Sequence, residues 1–107
     1  MLDELFRVTK QQADPQKAKL LAGFFKTGKG EYGEGDTFYG LTVPASRLIA
    51  KKYLSLSQDD LSKLLGSPVH EERLIALLIL VEQYKKADEI GKKAIYTFYL
   101  SQMLAIN

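Results

Sequence analysis

Residues 24–44 read FFKTGKGEYGEGDTFYGLTVP, and the fold turns on how this stretch is read. It holds five of the eight glycines, Gly28, Gly30, Gly33, Gly35 and Gly40. It is the one long segment without helical periodicity. On both sides apolar residues recur at i, i+3, i+4 spacing, the mark of amphipathic helices. The chain is therefore a set of helices with one unusual connection, residues 27–43.

Working outward toward the N-terminus, Asp14-Pro15 supplies a helix N-cap followed by a first-turn proline. The helix it opens is expected to run to about Lys26. Its apolar face is Ala18, Leu21 and Phe25, widened by Leu20 and Phe24. An earlier helix spans Leu2 to about Ala13, with Leu2, Leu5 and Phe6 inward. Asp3 and Glu4 lie in its first turn, where negative charge favours the helix dipole. In the other direction, Thr37 to Val43 is apolar enough to pack on the helices. Pro44 opens a third helix, with Leu48, Ile49 and Tyr53 inward.

Ser57 and Asp60 resemble a capping box for a short fourth helix. Its buried stripe is Leu61, Leu64 and Leu65, and Gly66 ends it. Ser67-Pro68 is expected to open the fifth helix as cap and first-turn proline. There Leu74 to Val81 is apolar on all sides, which marks a helix covered from several directions. It should be central, with Glu71 and Glu72 in its first turns on dipole grounds alone. A sixth helix starts at Asp88 and presents Ile90, Ala94, Ile95, Phe98 and Leu104 or Met103. Six helices joined by short connections predict an all-α, HEAT- or armadillo-like α-solenoid of antiparallel pairs, one domain over residues 1–107.

Composition narrows the chemistry. The 107 residues contain no cysteine and one histidine, His70, which excludes disulfides and cysteine- or two-histidine metal sites. The net charge of +2 permits an anionic partner without requiring one. No apolar run approaches the ~20 residues of a membrane span, and the N-terminus lacks a signal-peptide pattern. A soluble, cytoplasmic protein with no membrane partner is expected.

Gly28-Lys29-Gly30-Glu31-Tyr32-Gly33 fits G-x-G-x-x-G literally. A dinucleotide site needs that pattern after a strand and at the start of a helix. Here a helix precedes it, and Glu31, Glu34 and Asp36 would repel a pyrophosphate. The spacing of those acids does not match a calcium loop, so they read as a solvated acidic loop. His70 reads as a solvated first-turn residue. No cofactor, metal or catalytic residue is expected.

The basic residues carry more. Lys26 and Lys29 flank the connection, Arg47, Lys51 and Lys52 lie on the helix after it, and Lys85 and Lys86 end the fifth helix. Cations gathered at helix ends and on one face suit phosphate-backbone contact. A lysine-rich solvated surface remains the alternative.

FFKTGKGEYGEGDTFYGLTVPASRLIAKKY resembles the N-terminal part of DNA alkylation repair enzymes, the AlkD-type HEAT-like glycosylases. The similarity continues through SPVHEERLIALLILVEQYKKAD and KKAIYTFYL, so it covers nearly the whole chain. It implies an α-solenoid whose concave basic face cradles double-stranded, alkylated DNA. The implied activity is excision of cationic N3- or N7-alkylpurines, without a deep base pocket. A carboxylate flanked by tryptophans assists electrostatically.

In relatives that carboxylate follows a KxIYxFYL helix. This sequence stops at Ile106-Asn107 and contains no tryptophan. A truncated form is therefore expected, with a DNA-binding surface and no assigned catalytic residue. The resemblance places Thr42, Val43, Pro44 and Arg47 near the DNA backbone and Phe24 where some relatives have an aromatic. Lys26, Lys51 and Lys52 are added on charge. The uncovered face of the last helix, Phe98 to Ile106, predicts self-association. A non-catalytic helical-repeat module that binds DNA or protein is the other expectation.

Overall fold

The computed structural model describes residues 1–24 and 35–106. These form six helices: α1 (Leu2–Gln11), α2 (Pro15–Phe24), α3 (Val43–Lys52), α4 (Gln58–Leu65), α5 (His70–Lys86) and α6 (Glu89–Ile106). Among the described residues there is no strand, only an isolated parallel bridge between Thr37 and Val69. The architecture is all-α and consistent with a helical-repeat arrangement.

The local signals act as their chemistry dictates. Asp14 Oδ1 accepts from the amides of Gln16 (3.0 Å) and Lys17 (3.2 Å), which opens α2. Ser57 Oγ accepts from the Asp60 amide at 3.2 Å, which opens α4. Thr42 caps α3 through its hydroxyl, 3.2 Å from the Ala45 amide, with Pro44 in the first turn. Each cap satisfies amides that the first helical turn leaves without a carbonyl partner.

α5 is the centre, packing against α3, α4 and α6. Ile75, Ala76, Ile79 and Leu80 are buried along it. Leu61, Leu64 and Leu65 of α4 close on them, as do Ile49 and Ala50 from α3, Tyr53 just after it and Leu5 from α1. Polar ties reinforce the stack. Tyr53 donates to Glu4 Oε1 at 2.8 Å, joining α3 to α1. Gln83 donates to the carbonyls of Leu54 (2.8 Å) and Leu56 (3.3 Å), holding the α3–α4 connection on α5.

The structure corrects several sequence expectations. Leu48, expected inward, is 64% exposed. The 3.6-residue period puts it on the side of Arg47 and Lys51, opposite Ser46, Ile49 and Ala50. Leu20 and Phe24 of α2, expected on its apolar face, are 74% and 77% exposed. On α6 no described side chain is buried. Ile90 and Leu104 are open to solvent, while Ile95, Phe98 and Met103 are half-buried. α5 starts at His70 with Val69 as its cap residue, two positions later than Ser67-Pro68 suggests. Pro68 gives its carbonyl to the Thr37 amide (3.1 Å) instead of to a helical turn. α1 ends at Gln11, two residues before the expected Ala13, within the usual fraying of helix termini, and the expected end of α2 at Lys26 lies outside the described residues. Phe25, Lys26, Lys29, Glu31, Tyr32 and Glu34 lie outside the described residues.

Candidate nucleic-acid interface

The connection from Asp36 to Leu41 is fastened to the start of α5, and two glutamates do most of the fastening. Glu71 is 2% exposed. Its Oε1 accepts from the Tyr39 amide at 3.0 Å. Its Oε2 accepts from the amides of Gly40 (2.8 Å) and Leu41 (3.1 Å). Three backbone donors that no helix or strand serves are thus satisfied by one carboxylate. This is a charge-assisted arrangement, stronger than neutral hydrogen bonds. Glu72 is also buried, and accepts from Tyr39 Oη (2.9 Å) and Ser67 Oγ (2.5 Å).

A second set of contacts lies beside it. Asp36 accepts from Arg73 Nη2 at 2.6 Å and faces His70 Nδ1 at 3.2 Å. Arg73 Nη1 donates to the Ser67 carbonyl at 2.8 Å. The His70 ring stacks on Phe38, centroids 4.7 Å apart. The Thr37 carbonyl accepts from the His70 amide at 2.7 Å. Dipole-placed Glu71 and Glu72 and solvated His70 and Asp36 are thus corrected. All four hold the connection. Burial follows from the all-round apolar run just behind them, which draws the first turn of α5 into the protein.

The Tyr39 phenol is pushed up to about 12, by burial first, then by its bond to Glu72 and the charges of Glu72 and Glu71. A phenol raised in the folded state adds stability that is whole below its ordinary value of 10 and is lost as pH rises toward 12. The melting temperature is expected to fall across that window, and to fall less steeply in Tyr39→Phe. Thermal melts at stepped alkaline pH check this, and equal slopes would contradict it.

Leu41 is buried, and directly after it Thr42 begins α3. The latch therefore sets where α3 starts. Val43, Pro44, Arg47, Leu48, Lys51 and Lys52 are all exposed and occupy one side of this helix. Of the residues that sequence singles out for the interface, the structure brings Thr42, Val43, Pro44, Arg47, Lys51 and Lys52 together. Phe24 is carried by α2, and Lys26 lies outside the described residues. Lys85, which sequence names among the cations suited to phosphate contact without placing it beside α3, reaches α3 from α5. It joins Arg47 and Lys51 around a cleft of about 170 Å³. Only its place in the basic last turn of α5 hints at this. Among the described residues no group of acids and histidine is placed to hold a metal ion. No described helix is long and apolar enough to cross a membrane.

An all-helical protein with a latched connection and a cationic helix face is the class these features define. The family model described as DNA alkylation repair enzyme matches residues 7–107. The chain belongs to that family. No curated protein matches the chain, and no solved structure does.

Proposed function

We propose that residues 1–107 act in DNA alkylation repair as the DNA-holding N-terminal part of a HEAT-like alkylpurine glycosylase domain. The outer side of α3 faces the duplex. The observation that carries this is the alignment of Arg47, Lys51 and Lys52 with Thr42, Val43 and Pro44 on one exposed helix side. The connection the family resemblance singles out is fastened just ahead of it. With no tryptophan in the chain, none of its positions is assigned the flanked carboxylate. Holding DNA, not cleaving the glycosidic bond, is the role this surface supports.

Phosphate contacts release counterions, so duplex affinity falls steeply with salt. Fluorescence anisotropy with a short duplex is expected to show binding at low salt, weakening at least tenfold between about 50 and 200 mM. The variant Arg47→Ala/Lys51→Ala/Lys52→Ala should lose most of it. Undetectable binding at low salt, or affinity indifferent to salt, overturns the proposal.

A second surface supports self-association. Tyr96, Tyr99, Leu100 and Leu104 are exposed on α6. Tyr96 and Tyr99 line a groove of about 490 Å³ with Leu77, Leu80, Val81, Tyr84, Ile95 and the stem of Lys85. Contiguous exposed apolar surface of this kind favours a partner, and a second copy offers the same face for a two-fold pairing. Sedimentation is expected to show a dimer that Leu100→Glu dissociates. A clean monomer at high concentration contradicts this.

A further inference from the structure

Three cations on two different helices surround the cleft between α3 and α5. Arg47 and Lys51 come from one wall and Lys85 and Glu82 from the other, with Ala50 and Leu78 beneath them and half-exposed Val81 at the edge. Arg47 and Lys51 have no carboxylate partner among the described residues. Lys85 has one, Glu82, at 3.5 Å. Three positive groups against one carboxylate leave the cleft with surplus positive charge. The apolar floor keeps water from screening it fully, so a charge entering there is felt more strongly than at an open surface. A guanidinium beside two ammonium groups suits an oxyanion with several acceptor oxygens, since arginine offers a planar fork and lysine a point charge.

We propose that this cleft is a binding site for one phosphodiester of the nucleic-acid backbone, shared by Arg47, Lys51 and Lys85. Glu82 acts as a counterweight that Lys85 releases when the phosphate enters. The inference rests on the reading of α3 as the DNA-facing helix, and adds that α5 takes part and that the three cations serve a single phosphate.

The test is the slope of log affinity against log salt for a labelled duplex. Each neutralised phosphate contributes about 0.9 to that slope. Because one phosphate is shared, Arg47→Ala/Lys51→Ala/Lys85→Ala is expected to lose about one unit of slope, not about three. Lys85→Ala alone should weaken binding about tenfold, and Glu82→Gln should tighten it by about threefold or more. Lys63→Ala, on exposed α4 surface away from the cleft, should leave both affinity and slope unchanged. Inorganic phosphate at constant ionic strength should compete only weakly.

If the wild-type chain binds duplex but Lys85→Ala and Glu82→Gln change nothing, the cleft is overturned while the DNA-binding reading stands. A loss of about three units in the triple variant also overturns the shared site, because the cations then serve separate phosphates. Tight binding of inorganic phosphate would assign the cleft to a free anion instead. No duplex binding by the wild-type chain overturns the reading and the cleft together.

Discussion

Replacing Glu71 by alanine is expected to lower the melting temperature by more than about 10 °C, since about 1 kcal/mol corresponds to 4–8 °C in a domain of this size. The side chain receives the amides of Tyr39, Gly40 and Leu41. Alanine leaves those donors without a partner, and a buried unpaired donor costs about 1–3 kcal/mol. Losing the buried charge returns part of this, so a net loss of about 3 kcal/mol is expected. Glu71→Gln sharpens the test. Its carbonyl can still serve Gly40 and Leu41, but its NH2 then meets the Tyr39 amide donor to donor. Its loss should fall between wild type and alanine. Equal stability of all three in thermal melts would show that the latch contributes nothing.

The second large effect is expected at Gly40. Its φ is +89°, and a Cβ placed there would lie 2.2 Å from the Asp14 carbonyl oxygen and 2.7 Å from the Ala18 amide nitrogen. Both neighbours are backbone at the start of α2, so neither can swing aside. The same contact holds the Asp14 amide on the Tyr39 carbonyl at 2.8 Å. Alanine must part the connection from α2 as well as accept a left-handed conformation. Gly40→Ala is therefore expected to cost at least about 3 kcal/mol, among the severe outcomes for a single substitution. Gly35 is the internal comparison. Its φ is +84°, and a Cβ added there would meet nothing within 4 Å among the described residues. Gly35→Ala should cost only the conformational part, about 1–2 kcal/mol. Denaturant unfolding of the two variants separates strain from collision, and equal losses would contradict the close approach at Gly40.

These two sites show where sequence is informative and where it is not. Asp14, Ser57 and the Leu61, Leu64, Leu65 stripe are local signals, and each does what its spacing predicts. The apolar run of α5 is equally legible, because a helix apolar all round has few places to go but the centre. Glu71 and Glu72 escape such a reading because their partners are about thirty positions away, and no periodicity records that distance. The run behind them is the available hint, since it places their helical turn inside the protein.

Thr42 is singled out for DNA by resemblance, yet its hydroxyl is spent on capping α3, a role its position before Val43-Pro44 already suits. Leu20, Phe24, Ile90 and Leu104 depart from expectation for a different reason. Spacing shows that a helix face is apolar, but not how much of that face the fold takes out of water. At the interface, charge picks out Arg47, Lys51 and Lys52, which share one helix. Lys85 comes from another helix and needs the fold to bring it near.

The latch and the surface are linked through the chain itself. The Leu41 amide donates to Glu71, and the cap of α3 follows at once. What holds residues 36–41 also sets the direction in which Arg47 and Lys51 present their charge.

The most direct measurement is an amide NMR titration of the 107-residue chain with a short duplex. Shift changes are expected along Thr42 to Lys52 and around Lys85, with the outer side of α6 unmoved. Changes gathered at Tyr96 to Leu104 while α3 stays still would contradict the assignment of α3 as the DNA-facing helix.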